Sequence, residues 1–150
     1  MDRSLQIAGL YVASLKGISI IHQQGHWTTS GELFYEQHLL LERIYNSAIE
    51  DLDLAAEKMV GLFGSDVLDY VQQADLLHKV LLNYKGISQA LPRSLAVEQD
   101  FLKFSQKAYD AFENEGELTL GLDDMIMSIA SNREEAAYLL KQSLSKRDTP

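Results

Sequence analysis

Phe34, His38, Leu41, Tyr45, Ala48, Leu52, Ala55 and Met59 step along this chain at intervals of 4–3–4–3–4–3–4. Alternating fours and threes mark a helix laid against other helices. No Gly or Pro interrupts the stretch, and Gly61 and Gly64 mark its end. An apolar seam of that length is unstable in water unless neighbouring helices cover it, so the rest of the chain must supply them. Thr29-Ser30-Gly31-Glu32, just before the seam, has the form of a capping box.

The flanking sequence meets that demand. Leu5, Ala8, Val12 and Leu15 predict a first helix from about Ser4 to His26, widened by Ile7, Tyr11, Ile18 and Ile21 and ended with the help of Gly25. Residues 66–91 are less regular and read as a connection holding a short helix over Asp66–Leu82, with a turn at Lys85-Gly86. A third helix over Pro92–Asn114 carries Leu95, Leu102, Ser105, Tyr109 and Phe112. A fourth over Thr119–Ser145 carries Leu122, Met125, Ile129, Ala136 and Leu139. The fold class expected is all-α: a ferritin-like four-helix bundle with one long crossover that contains a short helix. Residues 1–150 form one domain, without internal repeats or low-complexity tracts.

Composition removes several function classes. There is no cysteine, which excludes disulfide frameworks, zinc ribbons, iron–sulfur clusters and thiol catalysis. Thirteen basic and 22 acidic residues give a net charge of −9, the wrong sign for phosphate neutralisation on DNA and the right one for attracting cations. No apolar run reaches the ~18 residues of a membrane span, and the amino terminus lacks the pattern of a signal peptide. The expectation is a soluble, cytoplasmic protein with no membrane partner.

The chemistry lies on and just before the second helix. His26, His38, Glu42, Asp53 and Glu57 are all metal-capable, and the last four fall within an arc of about 100° on one helical face. Glu36, Glu50 and Asp51 are expected to be solvated or partly paired with Arg43 and Lys58. His38 sits in the seam, where a polar ring is costly unless satisfied. Asp53 and Glu57, spaced i,i+4, can face one ion. The two pairs nevertheless lie about 16 Å or more apart along the helix, so no single centre within one chain takes both. The midpoint of 38 and 57 is 47.5, and so is that of 42 and 53. A second copy crossing antiparallel at a two-fold axis near Ser47-Ala48 would bring each pair to the other, giving two equivalent sites per dimer. Asn46, Ser47 and Ala48 are small enough to permit that approach. His22 reads as an ordinary buried or interface histidine, and Asp75 and His78 as surface residues.

His26-Trp27, Gly31, Phe34, His38, Glu42 and Asp53-Leu-Ala-Ala-Glu57-Lys58 resemble the signature of the Dps-type mini-ferritins (DNA-binding proteins from starved cells) of the ferritin-like superfamily. The resemblance implies a homo-oligomer, a hollow dodecamer with ferroxidase sites at its two-fold interfaces. There Fe(II) is oxidised by hydrogen peroxide or oxygen, and ferric mineral is stored in the cage, protecting against oxidative damage. It implies that His26, His38 and Glu42 come from one subunit and Asp53 and Glu57 from its mate, with Trp27 intercepting oxidising equivalents or packing beside the site. Iron is the implied metal, and zinc accepts the same ligand types. Glu113, Glu117, Asp123 and Asp124 match the region where family members line an iron-conducting pore with carboxylates, although carboxylates also favour a helix start for its dipole alone.

The position of Glu42 is more often Asp in the family. The terminal segments Met1-Asp2-Arg3-Ser4 and Lys146-Arg147-Asp148 are not basic arms, and the charge argues against DNA binding. Three other readings compete. A di-iron bundle of the larger ferritin or rubrerythrin kind needs Glu-x-x-His motifs, and none occurs; the fourth helix offers Glu134, Glu135 and Ala137 instead. The others are a nucleoid-binding cage and a purely structural cage with a vestigial metal site.

Overall fold

The computed structural model describes residues 2–145; the readings that rest on Met1 and on Lys146-Arg147-Asp148 lie outside the described residues. Five α-helices account for the architecture: α1 Asp2–Thr28, α2 Phe34–Phe63, α3 Tyr70–Leu82, α4 Ala90–Asn114 and α5 Leu120–Leu144. No strand occurs among the described residues. The four long helices form the bundle and α3 rides on α1 within the crossover. Short loops make α1–α2 and α4–α5 antiparallel hairpins. His22 meets Ser94 while Tyr11 meets Phe101, so α4 runs antiparallel to α1 and parallel to α2. That parallel pair is why a long crossover is needed.

Several helix ends differ from the sequence expectation. Gly25 does not end α1; it is buried within it, because a Cβ there would stand 3.1 Å from Leu41 Cδ1 and 3.3 Å from Ala90 Cβ. Its role is close helix approach. The capping box at Thr29–Glu32 does not form: the N-cap is Leu33 and makes no side-chain cap bond. Thr29 Oγ1 donates instead to Gln37 Oε1 at 2.8 Å, bracing the hairpin. Gly64, at φ 91°, does end α2. The short helix begins at Tyr70 after a 3-10 turn at Ser65–Leu68, capped by Asp69. Thr119 caps α5 by accepting from Leu122 N at 3.1 Å.

The buried stripe of α2 is Leu41, Ile44, Ala48, Asp51, Ala55 and Met59, rotated from the seam expected. Phe34 is exposed, and His38, Tyr45 and Leu52 are half-buried flanks. An α-helix drifts against a strict seven-residue repeat, and the neighbouring helices decide which part of a broad apolar stripe becomes its centre. The core is correspondingly divided. One cluster gathers around Tyr11, Leu15, Ala48, Phe101, Phe112 and Ile129. A smaller one joins Leu41, Ile44, Leu91, Ala136 and Leu140. Where α2, α4 and α5 pass from one cluster to the other, Ser47 and Asp51, Ser94 and Glu98, and Arg133 form a polar layer. Helix α1 is long and apolar enough to cross a membrane by length and composition, with a mean hydropathy of 1.4 over its best window. No continuous apolar run produces that value, and 61% of the window is buried inside the bundle, which is what a central bundle helix requires.

Candidate metal centre

The α1–α2 hairpin brings His26 and His38 together. Their rings stack with centroids 3.8 Å apart and 15° between planes. His26 Nδ1 is 2.7 Å from the His38 carbonyl oxygen, and His38 Nδ1 is 2.8 Å from the His26 carbonyl oxygen. A carbonyl only accepts, so each Nδ1 carries a proton and Nε2 is the nitrogen of each ring left to bind a metal. Phe34 covers the other face of His38 at 4.9 Å, and Tyr45 meets His26 edge-on at 5.4 Å. The cost of placing His38 at a helix interface is therefore met by the backbone, while one nitrogen of each ring remains a donor to metal.

Glu42 lies one turn beyond His38 and is half-buried; Asp53 and Glu57 are exposed further along α2. Among the described residues no three His, Asp or Glu side chains gather into a metal-holding group within one chain. Thus the two histidines meet, and the acidic pair stays apart from them. Trp27, next to His26 in sequence, is 67% exposed and does not pack in its own core. The same outer side of α2 also carries exposed Tyr35, Leu39, Ile49 and Val60. The small-residue contact needs correction. Ala48 is fully buried, and Ser47 accepts from Arg133 Nη2 at 2.7 Å; only Asn46 of the three is exposed. Helical phase turns Ala48 inward with Ile44 and Ala55.

A second constellation escaped the sequence reading. In the polar layer, Arg133 Nη1 donates to Glu98 Oε1 at 3.1 Å, and its Nε lies 3.3 Å from Asp51 Oδ2. His22 Nε2 donates to the same Glu98 oxygen at 2.8 Å, and its Nδ1 faces Ser94 Oγ at 2.8 Å. Asn132 Nδ2 donates to Asp51 Oδ1 at 2.9 Å. His22, Glu98 and Arg133 are fully buried and Asp51 is 4% exposed. Burial holds His22 below the ordinary histidine range, against the opposing pull of Glu98. Burial likewise raises the Asp51 carboxyl, against Asn132 and Arg133. Asp51 is therefore not a solvated carboxylate, and Arg43 pairs with exposed Glu135 at 3.1 Å rather than with its own helix. The missed signal was a gap: the apolar stripes of α4 and α5 skip from Leu95 to Leu102 and from Ile129 to Ala136, and Glu98 and Arg133 fill the vacant steps.

The remaining expectations divide. His22 is a buried histidine, while Asp75 and His78 are exposed. At the start of α5, Glu113 and Asp124 are exposed and Glu117 and Asp123 half-buried.

Four long helices with one crossover define a ferritin-like bundle. The particular likeness is to Dps structures. Dps from Thermosynechococcus elongatus superposes with a TM-score of 0.82 at 20% identity, over 98% of this chain and 93% of that one. DpsC from Streptomyces coelicolor gives 0.81 at 22% identity, over 98% and 86%. Dps from Listeria innocua soaked with zinc gives 0.79 at 16% identity, over 95% and 97%. No family model and no curated protein matches the sequence. The chain thus has the Dps fold at a sequence distance where the fold alone is shared.

Proposed function

We propose that this protein is an iron-sequestering mini-ferritin of the Dps type. In this reading it is a cytoplasmic homo-oligomer, a dodecameric cage that oxidises Fe(II) at sites shared across two-fold axes and stores the ferric product. The observation that carries the reading is the reciprocal clamp of His26 and His38, which leaves two Nε2 donors on the face that also bears Glu42, Asp53 and Glu57. One site takes His26, His38 and Glu42 from one subunit and Asp53 and Glu57 from its mate. The midpoint at 47.5 remains, but the contact at the axis is made by outward residues: 46 and 49 also sum to 95, so Asn46 would face Ile49 of the partner subunit. Exposed Leu39, Ile49 and Val60 supply apolar surface for that contact.

The chemistry suits iron as substrate. Imidazole and carboxylate hold Fe(II), and the carboxylates compensate the charge gained on oxidation. Two Fe(II) each lose one electron; hydrogen peroxide takes both electrons and two protons and leaves as two waters. In this reading Trp27, exposed and next to His26 in sequence, donates an electron to a stray oxidising equivalent. Zinc, with the same ligand preferences, would compete for the site. Glu117, Asp123 and Asp124 are assigned to iron access, and Asp123→Asn/Asp124→Asn should slow uptake without dissociating the assembly.

Subunit mixing tests the shared site. His26→Ala/His38→Ala protein and Asp53→Asn/Glu57→Gln protein should each oxidise iron poorly alone. A mixed dimer has one doubly damaged site and one intact site. Equal mixtures, reassembled at random, should recover up to about a quarter of wild-type activity. Verified mixed assemblies with no recovery would overturn the shared site.

A further inference from the structure

Helix α3 buries none of its residues fully. It rides on α1 without sealing against it, and a cleft of about 340 Å³ stays open between α1, the C-terminal end of α3 and the start of α4. Its walls are mainly apolar, with Ile20 and Ile21 from α1 and Leu81 and Leu82 from α3. Tyr84 also lines it, but its hydroxyl donates to Asp100 Oδ2 at 2.8 Å, and Asp100 lies outside the cleft. The charged residues at the cleft have one sign. Lys85, Arg93 and His78 line it and no carboxylate does, in a chain with 22 acidic and 13 basic residues. None of the three forms an ion pair among the described residues.

We propose that this cleft binds a small amphipathic anion, with a carboxylate at Lys85 and Arg93 and an apolar body against Ile20, Ile21, Leu81 and Leu82. Arg93 is already held in place: Nη1 donates to the Ile87 carbonyl at 3.1 Å and Nη2 to Gln24 Oε1 at 2.6 Å. Two of the five guanidinium N–H groups are used in this way, and the others are left for a ligand. A planar fork fixed beforehand loses little freedom when it pairs with a carboxylate. An uncharged ligand would cover the two cations without giving them a partner, and a wholly polar anion would leave the apolar walls wet. Small-molecule sites span ~300–1,000 Å³, so a cleft of about 340 Å³ takes one compact molecule, such as a free medium-chain carboxylate. The cleft shares no residue with His26, His38, Glu42, Asp53 or Glu57, so the proposal stands or falls independently of the iron reading.

Sodium octanoate is the probe, titrated by calorimetry into the assembled protein. One octanoate per subunit should bind saturably, and affinity should rise about two- to fourfold per methylene from butanoate to octanoate. Octanol should bind about fivefold more weakly, and octylamine not measurably. Lys85→Glu and Leu82→Asp should each weaken octanoate by about fivefold or more. Both side chains are exposed, so thermal melts should match wild type. Lys79→Glu makes the same change of charge on α3 outside the cleft and should bind octanoate as wild type does. A diazirine-bearing octanoate, irradiated on the protein, should label the 20–24 or 78–85 segment. The proposal is overturned if octanoate binding does not saturate, if octylamine binds as well, if Lys79→Glu loses as much affinity as Lys85→Glu, or if the label falls elsewhere.

Discussion

Asp51 and Asp53 lie two residues apart on α2 and share almost nothing else. About 200° of helical rotation separates them. Asp51 is 4% exposed and tied to Arg133 and Asn132; Asp53 is exposed. His22 and His26, one turn apart on α1, divide similarly. The first is enclosed by Ser94 and Glu98, and the second is clamped through Nδ1 with Nε2 left over. Inside the bundle these groups pair with one another across four helices, while Glu98 Oε2 and Asp51 Oδ2 keep no hydrogen-bond partner among the described residues. On the outer face the same residue types are left with unused donors. Pairing, rather than residue type, separates a structural carboxylate from one available to a metal.

The sharpest way to break this comparison is to remove one charge from the inner region and two from the outer. Arg133→Leu strands two buried carboxylates and should cost about 3–5 kcal/mol of unfolding free energy in urea. Asp53→Asn/Glu57→Gln should move stability by no more than about 0.5 kcal/mol. Equal losses would mean that both regions are structural. Iron oxidation should show the reverse order: the outer double variant should fall by about tenfold or more in initial rate.

Acidification sharpens the contrast within the layer. His22 has a folded pKa below its unfolded value of 6.5, so the unfolded chain takes up the proton first. The stability it contributes is present above about pH 6.5 and is lost as pH falls, by up to about 1.4 kcal/mol per unit. Thermal melts between about pH 7.5 and about pH 5.5 should show that slope, and His22→Gln should flatten it. Asp51 works in the opposite sense. Its raised pKa gives stability that is present below 3.8 and lost as pH rises through the folded value.

A small effect also belongs to an ion pair of the same chemistry on the surface. Arg43 and Glu135 are 3.1 Å apart, but their side chains are 66% and 58% exposed. Arg43→Ala should cost under about 1 kcal/mol, less still at high salt. A double-mutant cycle should return a larger coupling for Arg133–Glu98 than for Arg43–Glu135; similar couplings would show that burial does not set the strength of these pairs.

The sequence by itself determined the helical class, the crossover and the positions of the four long helices. Each rests on local information: apolar residues recurring at three and four, and glycines such as Gly64 at a helix end. It also determined the spacing of His26, His38, Glu42, Asp53 and Glu57, because distance along a helix is arithmetic. Only the tertiary structure decided which edge of a broad stripe is the centre, and so that Asp51 faces inward while Phe34 does not. It alone paired His26 with His38 through their backbones, a contact between two helices that neither helix encodes. It alone joined His22, Glu98 and Arg133, which lie on three separate helices and become one layer only when the helices pack. Periodicity reports whether a residue lies on a face; the burial and partners that fix its chemistry come from the neighbouring helices.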